Sequence, residues 1–210
     1  MDCKATIELG DSSRNGKTRT RTKACDHDMG CEAKYIPCGI LDEDLGALHL
    51  TFGNSYKTSD FMVDNLQNWW NTITQAEQKN IKLIQLKVDN GPENSGVRTQ
   101  FLNRLVSFSD QIGKSIQLLY YPPYHSKYNP IERCWGILEQ HWNGTLLTDV
   151  KTLLGWASTM TWKGIHPIVT LTEKVYSKGI SLTKNAMKKI EERLERNPLL
   201  PKWDILIKAR

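Results

Sequence analysis

The chain has 210 residues, of which 39% are hydrophobic and 24% charged, with a net charge of +5 and a pI near 8.9. These totals suit a globular domain with a true core, or such a domain with an appendage, and exclude a low-complexity or strongly polyionic chain. No apolar run approaches the ~18 residues of a membrane span, and the opening MDCKATIELG lacks a secretory hydrophobic segment, so a cytoplasmic protein without a membrane partner is expected.

Five cysteines (Cys3, Cys25, Cys31, Cys38 and Cys134) form an odd, irregularly spaced set that reads as reduced thiols rather than a disulfide framework. Cys25, His27, Cys31 and Cys38 contain no C-x-x-C pair to anchor a zinc site.

In chain order, ATIEL (5–9) is a short alternating strand. A turn at GDSSRNG leads into KTRTRTK, where Lys17, Arg19, Arg21 and Lys23 alternate with threonines and share one face of a strand; Arg14 precedes them. Two readings of this basic stretch stand side by side. It is a solvated edge strand protected by charge, or a phosphate-contacting ribbon whose binding releases counterions. A polar loop, CDHDMGCEAK, follows. YIPCGIL and ALHLTFG, joined by the acidic turn DEDLG, then predict an antiparallel hairpin.

TSDFMVDNLQNWWNTI predicts a helix capped by Thr58 or Ser59, with Phe61, Met62, Leu66, Trp69, Trp70 and Ile73 on its apolar face. IKLIQLKVD (81–89) reads as a mostly buried central strand. RTQFLNRLVSFSDQI is a second amphipathic helix, and SIQLLYY another strand. The loop YYPPYHSKY, stiffened by prolines, carries Tyr124, His125 and Lys127, residue types that hold a nucleic-acid backbone by stacking and cationic contact. His125 is equally read as a structural histidine. A helix bearing the buried stripe Ile131, Trp135, Leu138 and Trp142 comes next, with Gly136 leaving room for a backbone or a substrate. Helical patterns continue through VKTLLGWASTM and SLTKNAMKKIEERLERNP, the last stopped by Pro198. Strands first, then alternating helices and strands, make an α/β layered domain.

Three carboxylates occupy informative places: Asp2 before the first strand-like run, Asp89 at the end of a buried strand, and Glu132 at a helix start. Strand ends and adjacent helix mouths are where distant side chains converge in such folds. Hard cations such as Mg²⁺ prefer carboxylate oxygens, and two metals roughly 4 Å apart can support an in-line phosphoryl displacement. Two of these acids also have a plainer role: Asp89 opens a turn-forming Asp-Asn-Gly. Asn129, Pro130 and Glu132 match N-cap, N1 and the N3 capping-box position, so capping and catalysis are both open for Glu132.

DNGPEN followed by RTQF, then YYPPYHSKYNPIERCWG and LEQHWNG, closely resembles the DDE transposases of bacterial insertion sequences of the ISAzo-like group, relatives of the mariner-like enzymes. DHDMG, the SDFMVDN helix and the TWKGIHP segment extend the resemblance over almost the whole chain. It implies a ribonuclease H-like α/β fold, a mixed sheet of about five strands flanked by helices, with residues 1–145 as catalytic core and 146–210 as a helical C-terminal extension packed on it. The resemblance further implies a pair of Mg²⁺ ions, with Mn²⁺ as a substitute, held by Asp2, Asp89 and Glu132; Asp2 matches because MDCKATIELG resembles the family's D-x-K-A segment. Its partners would be double-stranded DNA, at element ends and target, and further copies of the transposase in a dimer or larger transpososome, placing the protein at the nucleoid. The implied activity is DNA cleavage at element ends and strand transfer.

Family members continue upstream of that aspartate, whereas Met1 directly precedes Asp2 here. The expectation is a first strand cut short at a fraying terminus. The alternative function is then an inactive remnant that binds DNA or the full-length transposase.

Overall fold

The computed structural model describes residues 1–10, 18–19, 33–122 and 128–210. The described chain forms two compact units. One comprises residues 2–56 and 130–175, and the other residue 1, residues 57–129 and residues 176–210.

The first unit holds strands β1 (Asp2–Cys3), β2 (Ile7–Leu9), β3 (Ala33–Leu41), β4 (Leu48–Gly53) and β7 (Ile168–Thr172). The expected hairpin is present, with Leu41 opposite Leu48 and Ile36 opposite Gly53. Its turn is set locally: Asp42 Oδ1 accepts from the amides of Asp44 and Leu45, and Gly46 takes a left-handed φ of 68°. β1 and β2 both pair antiparallel with β3, and β7 runs parallel to β4. Helices α4 (Pro130–Trp142) and α5 (Val150–Thr159) belong to the same unit. As the stripe predicts, Ile131, Trp135, Leu138 and Trp142 are buried, in one cluster with Leu48, Leu50 and Phe52 of β4. Asp149 caps α5 by accepting from the Thr152 amide at 2.8 Å.

The second unit contains α1 (Ser59–Thr72), α2 (Gln75–Asn80), β5 (Leu83–Val88), α3 (Thr99–Ile112), β6 (Ser115–Tyr120), α6 (Lys184–Glu191), β8 (Leu194–Arg196) and β9 (Asp204–Ile207). Thr58, rather than Ser59, caps α1 by accepting from the Phe61 amide. The strand order is β5-β6-β9-β8, with β5 and β6 parallel and the other pairs antiparallel. β5 alternates instead of being buried throughout: Ile84, Leu86 and Val88 are buried, whereas Gln85 faces outward. On that outer face the Gln85 and Gln117 amides hydrogen-bond across the β5–β6 ladder at 2.9 Å.

Both sheets are mixed and flanked by helices, compatible with the ribonuclease H-like α/β fold, and neither closes into a barrel. Residues 146–210, expected as a helical extension, hold two helices but also three strands that complete both sheets. In particular, the last helix stops at Glu191 rather than running to Pro198. Leu194–Arg196 pairs with Ile205–Ile207 instead. Arg196 donates to both oxygens of Glu191, and Arg193 to both oxygens of Asp110 on α3. Tertiary pairing outweighs the local helix propensity of EERLER. Among the described residues no helix is long and apolar enough to cross a membrane.

Candidate active site

Asp89 follows directly on β5 and is half-buried. The DNGPEN loop folds back on it. Asn94, only 2% exposed, donates from Nδ2 to Asp89 Oδ1 at 2.8 Å. The loop is itself pinned, because the Tyr120 hydroxyl at the end of β6 donates to the Asn94 carbonyl at 2.7 Å. Burial raises the Tyr120 ionisation well above its ordinary value, so this hydroxyl remains a donor. A Cβ on Gly91 would lie 3.2 Å from Asp89 Oδ2 and 3.3 Å from Asn94 Oδ1. A side chain at position 91 would therefore crowd both the carboxylate and the Asn94 amide oxygen. Asn94 Oδ1 is buried and has no hydrogen-bond partner among the described residues.

Asp2 is buried, at 6% exposure, and sits on β1 opposite Gly39 of β3. Its Oδ2 accepts from the Trp135 indole Nε1 at 3.0 Å. A Cβ on Gly39 would stand 2.7 Å from Trp135 Cη2 and 2.8 Å from Ile131 Cδ1. Glycine at 39 is thus what allows α4 to lie against β3 beside Asp2. Two residues along, Lys4 forms an ion pair with Glu139 of the same helix. Residues i and i+2 of a strand share a face, as do i and i+4 of a helix. Asp2 and Lys4 accordingly meet Trp135 and Glu139, and that pair of contacts fixes α4 along the first strand.

Glu132 is the third residue of α4, which begins at Pro130 as the Asn-Pro spacing predicts. It is exposed, one turn before Trp135. Glu139, the other acid of this helix, has its carboxylate engaged by Lys4 and by the Trp142 indole at 3.3 Å. Gly136 faces open space, with no described atom within 4 Å of where its Cβ would be.

Asp2 and Glu132 in one unit, and Asp89 with Asn94 in the other, present oxygen atoms, the donor type that hard divalent cations prefer. Burial pushes the Cys134 thiol up to about 12, so it stays protonated. Cys3 and Cys38 are buried and form no disulfide. Among the described residues no three His, Cys, Asp or Glu side chains are grouped as a metal site. Asp2 and Glu132 belong to one compact unit and Asp89 to the other.

Of the expected DNA-contacting residues, Arg14, Lys17, Arg21, Lys23, Tyr124, His125 and Lys127 lie outside the described residues, as do Cys25, His27 and Cys31. Arg19 is described. Its guanidinium donates to the carbonyls of Asn143 (2.7 Å) and His141 (2.8 Å) at the end of α4, and lies 5.0 Å from the centroid of the Trp156 ring. A cation at a helix C-terminus is favourable in its own right. Gly144, at φ 76°, admits it: a Cβ there would meet Arg19 Cγ at 2.9 Å.

Asn94, which bonds Asp89, and Trp135 and Gly39, which pack beside Asp2, are neighbours of these acids that sequence reasoning did not assign to them. Asn94 carries a signal, since it closes the DNGPEN motif five residues after Asp89. Trp135 was read only as core. A family model described as Rhodopirellula transposase DDE domain matches residues 1–209. No curated protein and no solved structure matches the chain.

Proposed function

The chain belongs to the Rhodopirellula transposase DDE-domain family, and from that membership we propose that it cuts DNA at the ends of a mobile element and joins the freed ends to target DNA. The match over residues 1–209 is the observation that carries this reading. Asp2, Asp89 and Glu132 are the acids assigned to hold divalent metal, Mg²⁺ by preference and Mn²⁺ as a substitute. The bound metal would activate the attacking oxygen and neutralise charge on the leaving oxygen.

The residues of the chain supply the rest. In the first step a water oxygen attacks phosphorus in line and the bond to the 3′ oxygen breaks, leaving a 3′-hydroxyl and a 5′-phosphate. In the second, that 3′-hydroxyl attacks a target phosphodiester and expels a target 3′-hydroxyl, so bonds made and broken balance. Asn94 occupies one oxygen of Asp89, and Oδ2 lies beside Gly91. Trp135 likewise occupies one oxygen of Asp2. Arg14, Lys17, Arg21 and Lys23, with Tyr124, His125 and Lys127, are assigned to the phosphate backbone of the double-stranded substrate, whereas the Arg19 guanidinium is engaged by the end of α4 and Trp156. The protein is expected at the nucleoid, acting as a dimer or larger assembly on paired ends.

The test is a supercoiled plasmid carrying the element ends, incubated with protein and Mg²⁺. Nicked and strand-transfer products are expected with the wild-type chain and neither with Asp89→Asn or Glu132→Gln. Glutamine preserves a capping hydrogen bond but not a metal-binding charge. Full activity in Glu132→Gln would therefore reduce that residue to a helix cap and end its catalytic assignment.

A further inference from the structure

We propose that Trp135 is a positioning residue for metal binding, holding the Asp2 carboxylate in a fixed orientation through its indole N–H. The inference rests on the reading of Asp2 as a metal ligand and adds a residue to it.

Three observations converge on Trp135. Its Nε1 lies 3.0 Å from Asp2 Oδ2, and both residues are almost fully buried, at 4% and 6% exposure. The ring cannot swing away, because its Cη2 and Cζ2 atoms sit where a Cβ on Gly39 would be, at 2.7 and 2.8 Å. Gly39 is also the residue directly opposite Asp2 across the β1–β3 ladder. The benzo edge of the indole is therefore seated on the β3 backbone, and the adjacent N–H is delivered to the carboxylate one strand over. A carboxylate offers about four lone-pair sites. A single N–H occupies one and fixes the plane of the group, leaving the other oxygen to face a ligand. An indole suits the task because it donates only, does not titrate, and holds its donor on a rigid frame. Groups that hold a ligating carboxylate in this way typically change metal affinity by 10- to 100-fold when removed.

A plainer account is that the indole merely satisfies a buried aspartate. Metal affinity measured apart from activity separates the two. The full chain is prepared with 3-benzothienylalanine at position 135, which keeps the bicyclic shape and replaces the N–H by sulfur. Mn²⁺ binding is followed by calorimetry and by the free-ion paramagnetic resonance signal. We expect affinity on the order of tenfold weaker, a metal-free melting temperature close to wild type, and nicking restored by raised Mn²⁺. Lys4→Met serves as the control for a loosened helix, since it breaks the neighbouring ion pair to Glu139; it should melt lower and keep its metal affinity.

Unchanged Mn²⁺ affinity in the sulfur isostere would overturn the proposal, as would an equal loss in Lys4→Met. Asp2→Asn tells the two layers apart. If it weakens Mn²⁺ binding while the isostere does not, the positioning role alone falls. If Asp2→Asn binds Mn²⁺ as wild type does, the assignment of Asp2 falls and the role of Trp135 with it.

Discussion

The two aspartates are supported in opposite ways. Asp89 is held by a neighbour, since Asn94 is five residues further on and the whole arrangement closes within one loop. Asp2 is held from a distance, by an indole 133 residues away on a helix that reaches it only because β3 carries a glycine opposite. A local support forms whenever its loop forms. A long-range one exists only after strands, helix and glycine have all packed. Damage to the surroundings of Asp89 should thus show mainly in function, and damage to those of Asp2 in folding as well.

The largest effect expected comes from forcing that contrast at the two glycines. Gly39→Ala drives a methyl into ring carbons of a buried tryptophan at 2.7–2.8 Å. Overpacking of that kind costs about 1–3 kcal/mol, and urea unfolding should show it along with weakened Mn²⁺ binding. In Gly91→Ala the nearest atoms the methyl meets are carboxylate and amide oxygens, at 3.2–3.5 Å. Its stability should stay close to wild type while metal-dependent nicking falls, because the methyl crowds Asp89 Oδ2. Equal destabilisation by the two alanines would erase the distinction. Asn94→Ala comes next. Losing a hydrogen bond to a charged group that is still partly hydrated should cost about 1–2 kcal/mol, and the loss should be expressed chiefly as a raised metal requirement for cleavage. A fall in stability larger than that of Gly39→Ala would mean that the loop, rather than the β1–α4 contact, is the more cooperative of the two supports.

The same difference in range explains what the sequence disclosed. The β3–β4 hairpin, α1, α3, β6 and the buried stripe of α4 were legible because periodicity and capping are written within a few residues. Asp89 and Glu132 stood out for similar reasons, one closing a strand and the other opening a helix. The Trp135 bond to Asp2 left no comparable trace, since a tryptophan at a core spacing looks alike whether or not its N–H has a task. β8 was misread as helix because EERLER has helical propensity, and only its partner, Asp204–Ile207, reveals the strand. Gly39 was equally silent: a glycine inside a strand signals close approach, but not of what.

The smallest effect concerns acid, and it again separates the two units. In the Asp2 unit, burial lowers His49 on β4 below its ordinary value of 6.5, an effect only partly offset by the Asp42 carboxylate. The unfolded chain then takes up a proton that the folded one resists, so stability is full above about pH 6.5 and declines as pH falls through the lower folded value. In the Asp89 unit, Asp110 is lowered from an ordinary 3.8 chiefly by hydrogen bonds from Arg193. Its contribution is present above that value and is lost only as pH falls through the folded one. Urea midpoints between pH 7 and 5 should therefore drop less in His49→Gln than in wild type, whereas Asp110→Asn should follow wild type over that range and diverge from it above pH 4 only by a constant offset. A wild-type slope that survives His49→Gln would assign the acid sensitivity to another group. A flattened slope in Asp110→Asn would show that its ion pair with Arg193, more than a third exposed on the aspartate side, titrates far above where its geometry puts it.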